Sequence, residues 1–265
     1  MSYLQIDRSG DVVTCRMSNP PTHTLVAAEV AELADFVAAT GEDVRVVVFT
    51  GGGEGVFIAH YEVGELADAS EAGGRVLMDE APARPELHSM HRLLLAIEAA
   101  PWVSVAALNG SAAGGGFEFA LACDFRLTSD GPWAFGLPET SVGIIPGAGG
   151  TQRMTRLLGE ARALDLILHA RLMDPSEALG VGLVHRVFAR SDFEAEVRAF
   201  ADDLAGRAPV ALRAARRAIR EGADLPLEAA LAVEQREFER AMSSEDAAGA
   251  MRAWLKGESW TWKNR

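Results

Sequence analysis

Short β-branched runs and longer runs with helical periodicity alternate along most of the chain, which predicts an α/β fold. Leu4–Asp7 and Val12–Met17 are short apolar runs around Arg8-Ser9-Gly10-Asp11, the pattern of a hairpin. Leu25, Val26, Val30, Leu33 and Val37 recur at near-helical spacing, and Gly41 supplies a stop. The run Arg45–Thr50 is almost continuously β-branched, so it predicts a strand buried on both faces, closed by Gly51, Gly52 and Gly53. Val63–Arg84 is polar, glycine-containing and weakly periodic, the pattern of a mobile loop or a broken helix beside a site. Beyond it, His88–Ala99 reads as a helix, Val103–Leu108 as a strand, Phe117–Ala122 as a helix and Phe125–Thr128 as a strand.

After Ser191 the pattern turns alanine-, arginine- and glutamate-rich and helical, ending in Trp254, Trp260 and Trp262. Residues 1–198 are therefore expected to form the core and 199–265 a helical appendage. Leu212, Ile219, Leu231 and Phe238 have few strands nearby in sequence to cover them. Uncovered apolar faces of this kind mark a subunit interface.

Composition narrows the class. A chain of 265 residues, 49% of them hydrophobic, suffices for one large domain or a domain with an appendage. No run approaches the roughly 18 apolar residues of a membrane span, and the opening MSYLQIDRSGDVV lacks the basic and apolar regions of a secretory signal. A cytoplasmic protein without a membrane partner is expected. Cys15 and Cys123 are too few and too far apart for a disulfide framework or zinc cluster, and are expected to be reduced core residues. A net charge of −13 argues against nucleic-acid binding, which relies on clustered cations.

The chemistry concentrates in three glycine-punctuated stretches. In Asn109-Gly110-Ser111-Ala112-Ala113-Gly114-Gly115-Gly116-Phe117-Glu118, a glycine turn between a strand and a helix lets backbone N–H groups approach a ligand at a helix N-terminus. The same turn would also serve simple packing. It fits neither a GxGxxG dinucleotide turn nor a Walker loop, which needs a lysine after the glycines. Glu118 stands in an otherwise apolar helix, where an unpaired carboxylate is costly. It is either a catalytic group or a first-turn glutamate satisfied by the helix dipole or a capping box. Pro138-Glu139 has the form of a helix start, so Glu139 is open to the same two readings. Ile144-Ile145-Pro146-Gly147-Ala148-Gly149-Gly150 again presents backbone groups at a helix start, with Thr151 as its expected cap. Two such turns bracketing two acidic residues suggest a pocket of backbone donors and carboxylates. His88 and His91, three apart on one helix, lack further ligands at zinc-site spacing. Trp102 and Trp133 read first as packing residues and second as walls of a ligand pocket.

These segments, NGxAxGGGxE followed by GxPE and IPGAGGTQR, resemble the signature of the enoyl-CoA hydratase/isomerase (crotonase) family. Weaker similarity runs through Val44–Leu66, Ser176–Val184 and Ser244-Glu245-Asp246. The resemblance implies a right-handed spiral of ββα units followed by a C-terminal helical trimerisation region, with a homotrimer or homohexamer as the assembly. It implies an acyl-CoA thioester substrate, with CoA part of the substrate and no separate cofactor or metal. CoA is anionic, so local arginines or helix N-termini must offset the field of an acidic protein.

By position, Glu118 and Glu139 match the family's acid/base pair, and Tyr61 and Gly115 its oxyanion-hole amides. Ala59, His60, Glu62, Gly114 and Gly147 fall at substrate-binding positions, Gly147 matching a glycine that helps to position water. Where the family reads A-G-x-D, this chain has Ala59-His60-Tyr61-Glu62, which places two extra side chains near the thioester. The spacing from Glu118 to Glu139 is one residue longer than usual, consistent with an insertion around Ser129-Asp130-Gly131 that should leave both carboxylates in place. The function implied is reversible hydration of a trans-2-enoyl-CoA to the 3-hydroxyacyl-CoA. The alternatives are another crotonase-type reaction, isomerisation or hydrolysis, and a catalytically silent acyl-CoA-binding protein.

Overall fold

The computed structural model of the chain describes residues 2–73 and 87–264. Strands β1 (Leu4–Ser9) and β2 (Val12–Met17) form the expected antiparallel hairpin, with Leu4 opposite Met17. Helix α1 (Ala27–Ala39) buries Val30, Leu33 and Val37. It starts two residues later than the apolar spacing suggests, because Leu25 is extended and bridged to Tyr61. Strand β3 (Val46–Gly51) is followed by β4 (Gly55–Ile58) and α2 (Val63–Glu71). The first part of the weakly periodic stretch is therefore helix, and positions 74–84 of it lie outside the described residues.

Next come α3 (Ser89–Ala99), β5 (Val103–Leu108), β6 (Gly110–Ala113), α4 (Gly115–Ala122), β7 (Phe125–Ser129) and β8 (Phe135–Gly136). A short 3-10 turn, Glu139–Val142, leads to α5 (Gly150–Leu158), α6 (Glu160–Leu168), β9 (Leu172–Met173), α7 (Pro175–Gly180) and β10 (Arg186–Phe188). Helices α8 (Phe193–Ala205), α9 (Pro209–Gly222), α10 (Leu227–Met242) and α11 (Glu245–Lys256) complete the chain.

Two sheets result, one of six strands in the order β1-β2-β3-β5-β7-β10 and one of four in the order β4-β6-β8-β9. Apart from β1 and β9 the pairings are parallel. Each turn of the chain lays one strand in each sheet before a helix carries it to the next: β3-β4, β5-β6, β7-β8. Parallel neighbours require such crossovers, and this is the ββα spiral expected above.

The unbroken β-branched run of β3 is explained by its place between β2 and β5, with all six residues buried. Val47 and Phe49 point into one apolar cluster with Leu33, Trp102, Phe117 and Phe119. Val46 and Val48 point into a second, with Val103, Val105, Phe193, Val197 and Ala201. Helix α8 thus covers the outer face of the six-stranded sheet, and it crosses the expected division at 198/199. Leu212 packs against this second cluster, whereas Ile219, Leu231 and Phe238 are exposed.

Trp102 rests on Phe49 and donates its Nε1–H to Thr40 O, while Trp133 donates to Ser129 Oγ with the Arg190 guanidinium over its ring. Both tryptophans are held by packing and by their indole N–H bonds. Cys15 and Cys123 are free and buried, and burial pushes both thiols well above their ordinary range. Among the described residues no helix is long and apolar enough to cross a membrane.

Candidate active site

The site is organised by the turn between β6 and α4. Gly114 has φ 49 and ψ −129, a conformation natural to glycine, and its N–H donates to Gly136 O. A Cβ at Gly114 would lie 3.0 Å from Glu139 Oε1 and 3.9 Å from His60 Cβ. At Gly115 it would lie 3.0 Å from Tyr61 Cβ and 3.4 Å from Tyr61 N. The glycines therefore let the start of α4 press against Glu139 on one side and the backbone of Tyr61 on the other.

Tyr61 is held by its neighbours. Leu25 N donates to His60 O and Glu62 N donates to Leu25 O, each at 2.8 Å, a parallel bridge that leaves the amide of Tyr61 out of the ladder. Gly115 opens α4, so its N–H has no acceptor within the helix. Neither amide donates to another described residue. Two adjacent free N–H groups can stabilise a developing oxyanion.

The side chains around Tyr61 are engaged locally. Its phenol donates to Glu65 Oε2 at 2.7 Å, and burial followed by Glu65 pushes the phenol up. Glu65 also accepts from Ala27 N, linking α2 to the start of α1. Glu62 caps α2 by accepting from Gly64 N, and its bond from Thr24 Oγ1 holds the carboxyl below the usual range. His60 is exposed and donates from Nδ1 to Tyr61 O at 2.7 Å. Ala59 is tied on both sides, donating to His23 O and accepting from Ala113 N.

Glu118 is almost fully buried. Its Oε1 accepts from Ala148 N at 2.8 Å and Gly150 N at 2.7 Å. Helix α5 starts after Gly149, in the left-handed region at φ 95, and has no side-chain cap from its own N-cap residue. Thr151 is thus not the cap; the carboxylate of Glu118 performs that service from another helix. Burial pushes the Glu118 carboxyl up, opposed by the Gly150 and Ala148 amides and the charge of Arg153. Arg153 donates from one guanidinium nitrogen to Ala148 O at 3.0 Å and forks onto Glu98.

Glu139 lies on the 3-10 turn. Its Oε2 is buried without a hydrogen-bond partner among the described residues. Burial pushes its carboxyl up to about 7, with the Glu118 charge adding and its own backbone amide opposing. His88 donates from Nε2 to Gly147 O at 2.7 Å and packs in a tilted arrangement against His91, whose burial lowers its pKa to about 4. Among the described residues no group of three His, Cys, Asp or Glu side chains is placed to hold a metal ion.

Sequence reasoning reached the glycine turns and both glutamates but missed which amides receive Glu118, the pairing of Arg153 with Glu98, and the tie from His88 to Gly147. Arg153 was visible within IPGAGGTQR. Glu98 lies 55 residues away from it on an ordinary amphipathic helix, with nothing local to single it out.

Residues 7–265 match the family model described as enoyl-CoA hydratase/isomerase. A short-chain-enoyl-CoA hydratase of Clostridium acetobutylicum is 33% identical, with 95% of this chain and 94% of that protein covered. A crotonyl-CoA hydratase of Syntrophomonas wolfei is 31% identical, with 85% and 84% covered. The crystal structure of an enoyl-CoA hydratase from Bacillus anthracis superposes with a TM-score of 0.88 at 31% identity, over 100% of both chains. Fold, motif positions and whole-length similarity agree, and the chain belongs to the enoyl-CoA hydratase/isomerase family.

Proposed function

We propose that the protein is an enoyl-CoA hydratase that adds water reversibly to a trans-2-enoyl-CoA, giving the 3-hydroxyacyl-CoA. The observation that carries this reading is the single turn Gly114–Glu118, which gathers the free Gly115 amide against Tyr61 and sets Glu139 and Glu118 around the same helix start. Hydration needs both carboxyls. The water oxygen bonds to C3 while its proton passes to Glu118, and Glu139 delivers a proton to C2. The electron density displaced from the double bond is held transiently on the thioester oxygen, facing the N–H groups of Tyr61 and Gly115.

The environments support this division of labour. Burial raises both carboxyls; two amides and the charge of Arg153 oppose it at Glu118, and at Glu139, raised to about 7, its own backbone amide does. Both amides reach Oε1 of Glu118, which leaves Oε2 for the water. Ala59, His60, Glu62, Gly114 and Gly147 are the substrate-positioning residues of this reading, supported at Gly114 by its place beside Glu139 and His60.

Two relatives named for short-chain and crotonyl-CoA hydration make crotonyl-CoA the first substrate to test. A panel of trans-2-enoyl-CoA thioesters, followed for both hydration and double-bond migration, should show hydration as the faster reaction. Migration without hydration would assign an isomerase, and binding without turnover a silent acyl-CoA-binding protein. A homotrimer or homohexamer is proposed for the assembly, supported by exposed Ile219, Leu227, Leu231, Phe238 and Trp254 on the C-terminal helices.

A further inference from the structure

We propose that the Arg153–Glu98 ion pair, braced by Arg220 of α9, is a positioning element that holds the Ala148–Gly150 loop against Glu118. This rests on the reading of Glu118 as the group that takes the proton from water. Arg153 is the hub. Its Nε and one terminal nitrogen fork onto the two oxygens of Glu98 at 2.7 and 3.0 Å, and the other terminal nitrogen donates to Ala148 O at 3.0 Å. Ala148 is itself one of the two residues whose amides hold Glu118 Oε1. Both members of the pair are largely shielded from solvent, their side chains 14% and 21% exposed. A two-pronged, poorly hydrated pair fixes direction as well as distance.

The brace closes a circuit. Arg220 approaches Glu98 Oε1 at 3.4 Å and donates to Asp124 Oδ1 at 2.7 Å and to Ala122 O at 3.1 Å. Asp124 directly follows the C-cap of α4, the helix that carries Glu118, and also accepts from Arg216 and from Ser104 N. Helix α9 therefore holds the end of the helix that bears the carboxylate directly, and reaches the loop that receives it through Glu98 and Arg153. A rotation of Arg153 would move the carbonyl of Ala148, and with it the donors to Glu118.

The charged and titratable groups facing Glu118 are Glu139 from the 3-10 turn and Arg153 from α5, with Glu98 and His91 of α3 and Arg220 of α9 behind Arg153. Arg153 is the cation among them that acts directly on Glu118. Its removal should therefore raise the pH at which Glu118 ionises, which loss of packing alone would not do.

The test uses the full chain and crotonyl-CoA, with pH profiles for Arg153→Gln and Arg153→Lys beside Glu118→Gln. For Arg153→Gln, kcat should fall about tenfold or more with KM within about twofold, and the acid limb should move up by about half a pH unit or more. Arg153→Lys keeps the charge and loses the fork, so the acid limb should stay in place while kcat falls about tenfold. An unmoved acid limb in Arg153→Gln, or full kcat in Arg153→Lys, overturns the proposal. If Arg153→Gln does not fold, kcat of the lysine variant decides alone. Full activity in Glu118→Gln overturns the reading of Glu118 and this inference together. An inactive Glu118→Gln beside Arg153 variants that match the parent overturns the inference alone.

Discussion

Replacing Glu118 by glutamine and by alanine separates its chemistry from its structural service. The carboxylate accepts two backbone donors on one oxygen, from Ala148 at 2.8 Å and Gly150 at 2.7 Å. A glutamine side-chain oxygen can accept the same two bonds, and its NH2 then occupies the place of the oxygen that would take a proton. Glu118→Gln should therefore fold with near-parental stability and lose hydration by at least about a hundredfold, equivalent to about 3 kcal/mol of barrier. Alanine leaves both amides unsatisfied in a buried place, at a cost of about 1–3 kcal/mol each, and opens a cavity. Glu118→Ala should accordingly be inactive and also clearly destabilised in urea. The assays are loss of the conjugated thioester absorbance on hydration of crotonyl-CoA and urea unfolding by circular dichroism. A glutamine variant with near-normal turnover would refute the base assignment. Alanine as stable as glutamine would refute the account of Glu118 as cap of α5.

Tyr61→Pro removes a backbone donor and should cost about 3 kcal/mol of transition-state stabilisation, whereas Tyr61→Ala keeps the N–H and should mainly alter acyl preference; an active, folded proline variant beside a dead alanine variant would make the phenol the catalytic group. Glu29 is buried in α1, and burial, then Glu32, raises its carboxyl from 4.5 to about 7. A carboxyl raised in the folded state contributes stability that is lost as pH rises from 4.5 to about 7, so Glu29→Gln should be more stable than the parent by up to about 3 kcal/mol at pH 8 and little different at pH 4. Urea melts with the same pH dependence in both proteins would contradict this. Trp254, 78% exposed on α11, lies on the surface proposed for assembly; light scattering should report a trimer or hexamer that Trp254→Glu weakens, and a monomeric parent at micromolar concentration would refute that proposal.

The alternation of β-branched and 3.6-periodic runs determined the α/β class, and the double-sided burial of Val46–Thr50 followed from composition alone. These properties are local, because hydrogen bonding within an element and the side it buries are written in its own residues. The glycine turn and both glutamates were legible for a related reason: glycine before a helix and a carboxylate among apolar neighbours each violate a local preference. What the sequence left open was partnership. Leu25 fits a helical spacing, yet its bridge to Tyr61 makes it extended and leaves the Tyr61 amide free. Thr151 looked like the cap of α5, and the carboxylate of Glu118 took that place from 32 residues upstream. Backbone amides carry no side-chain identity, so no pattern of residues announces which of them will receive a buried carboxylate. Only the spiral, by bringing the start of α4, the loop before α5 and the extended segment at Tyr61 to one place, decided which donors and acids face one another.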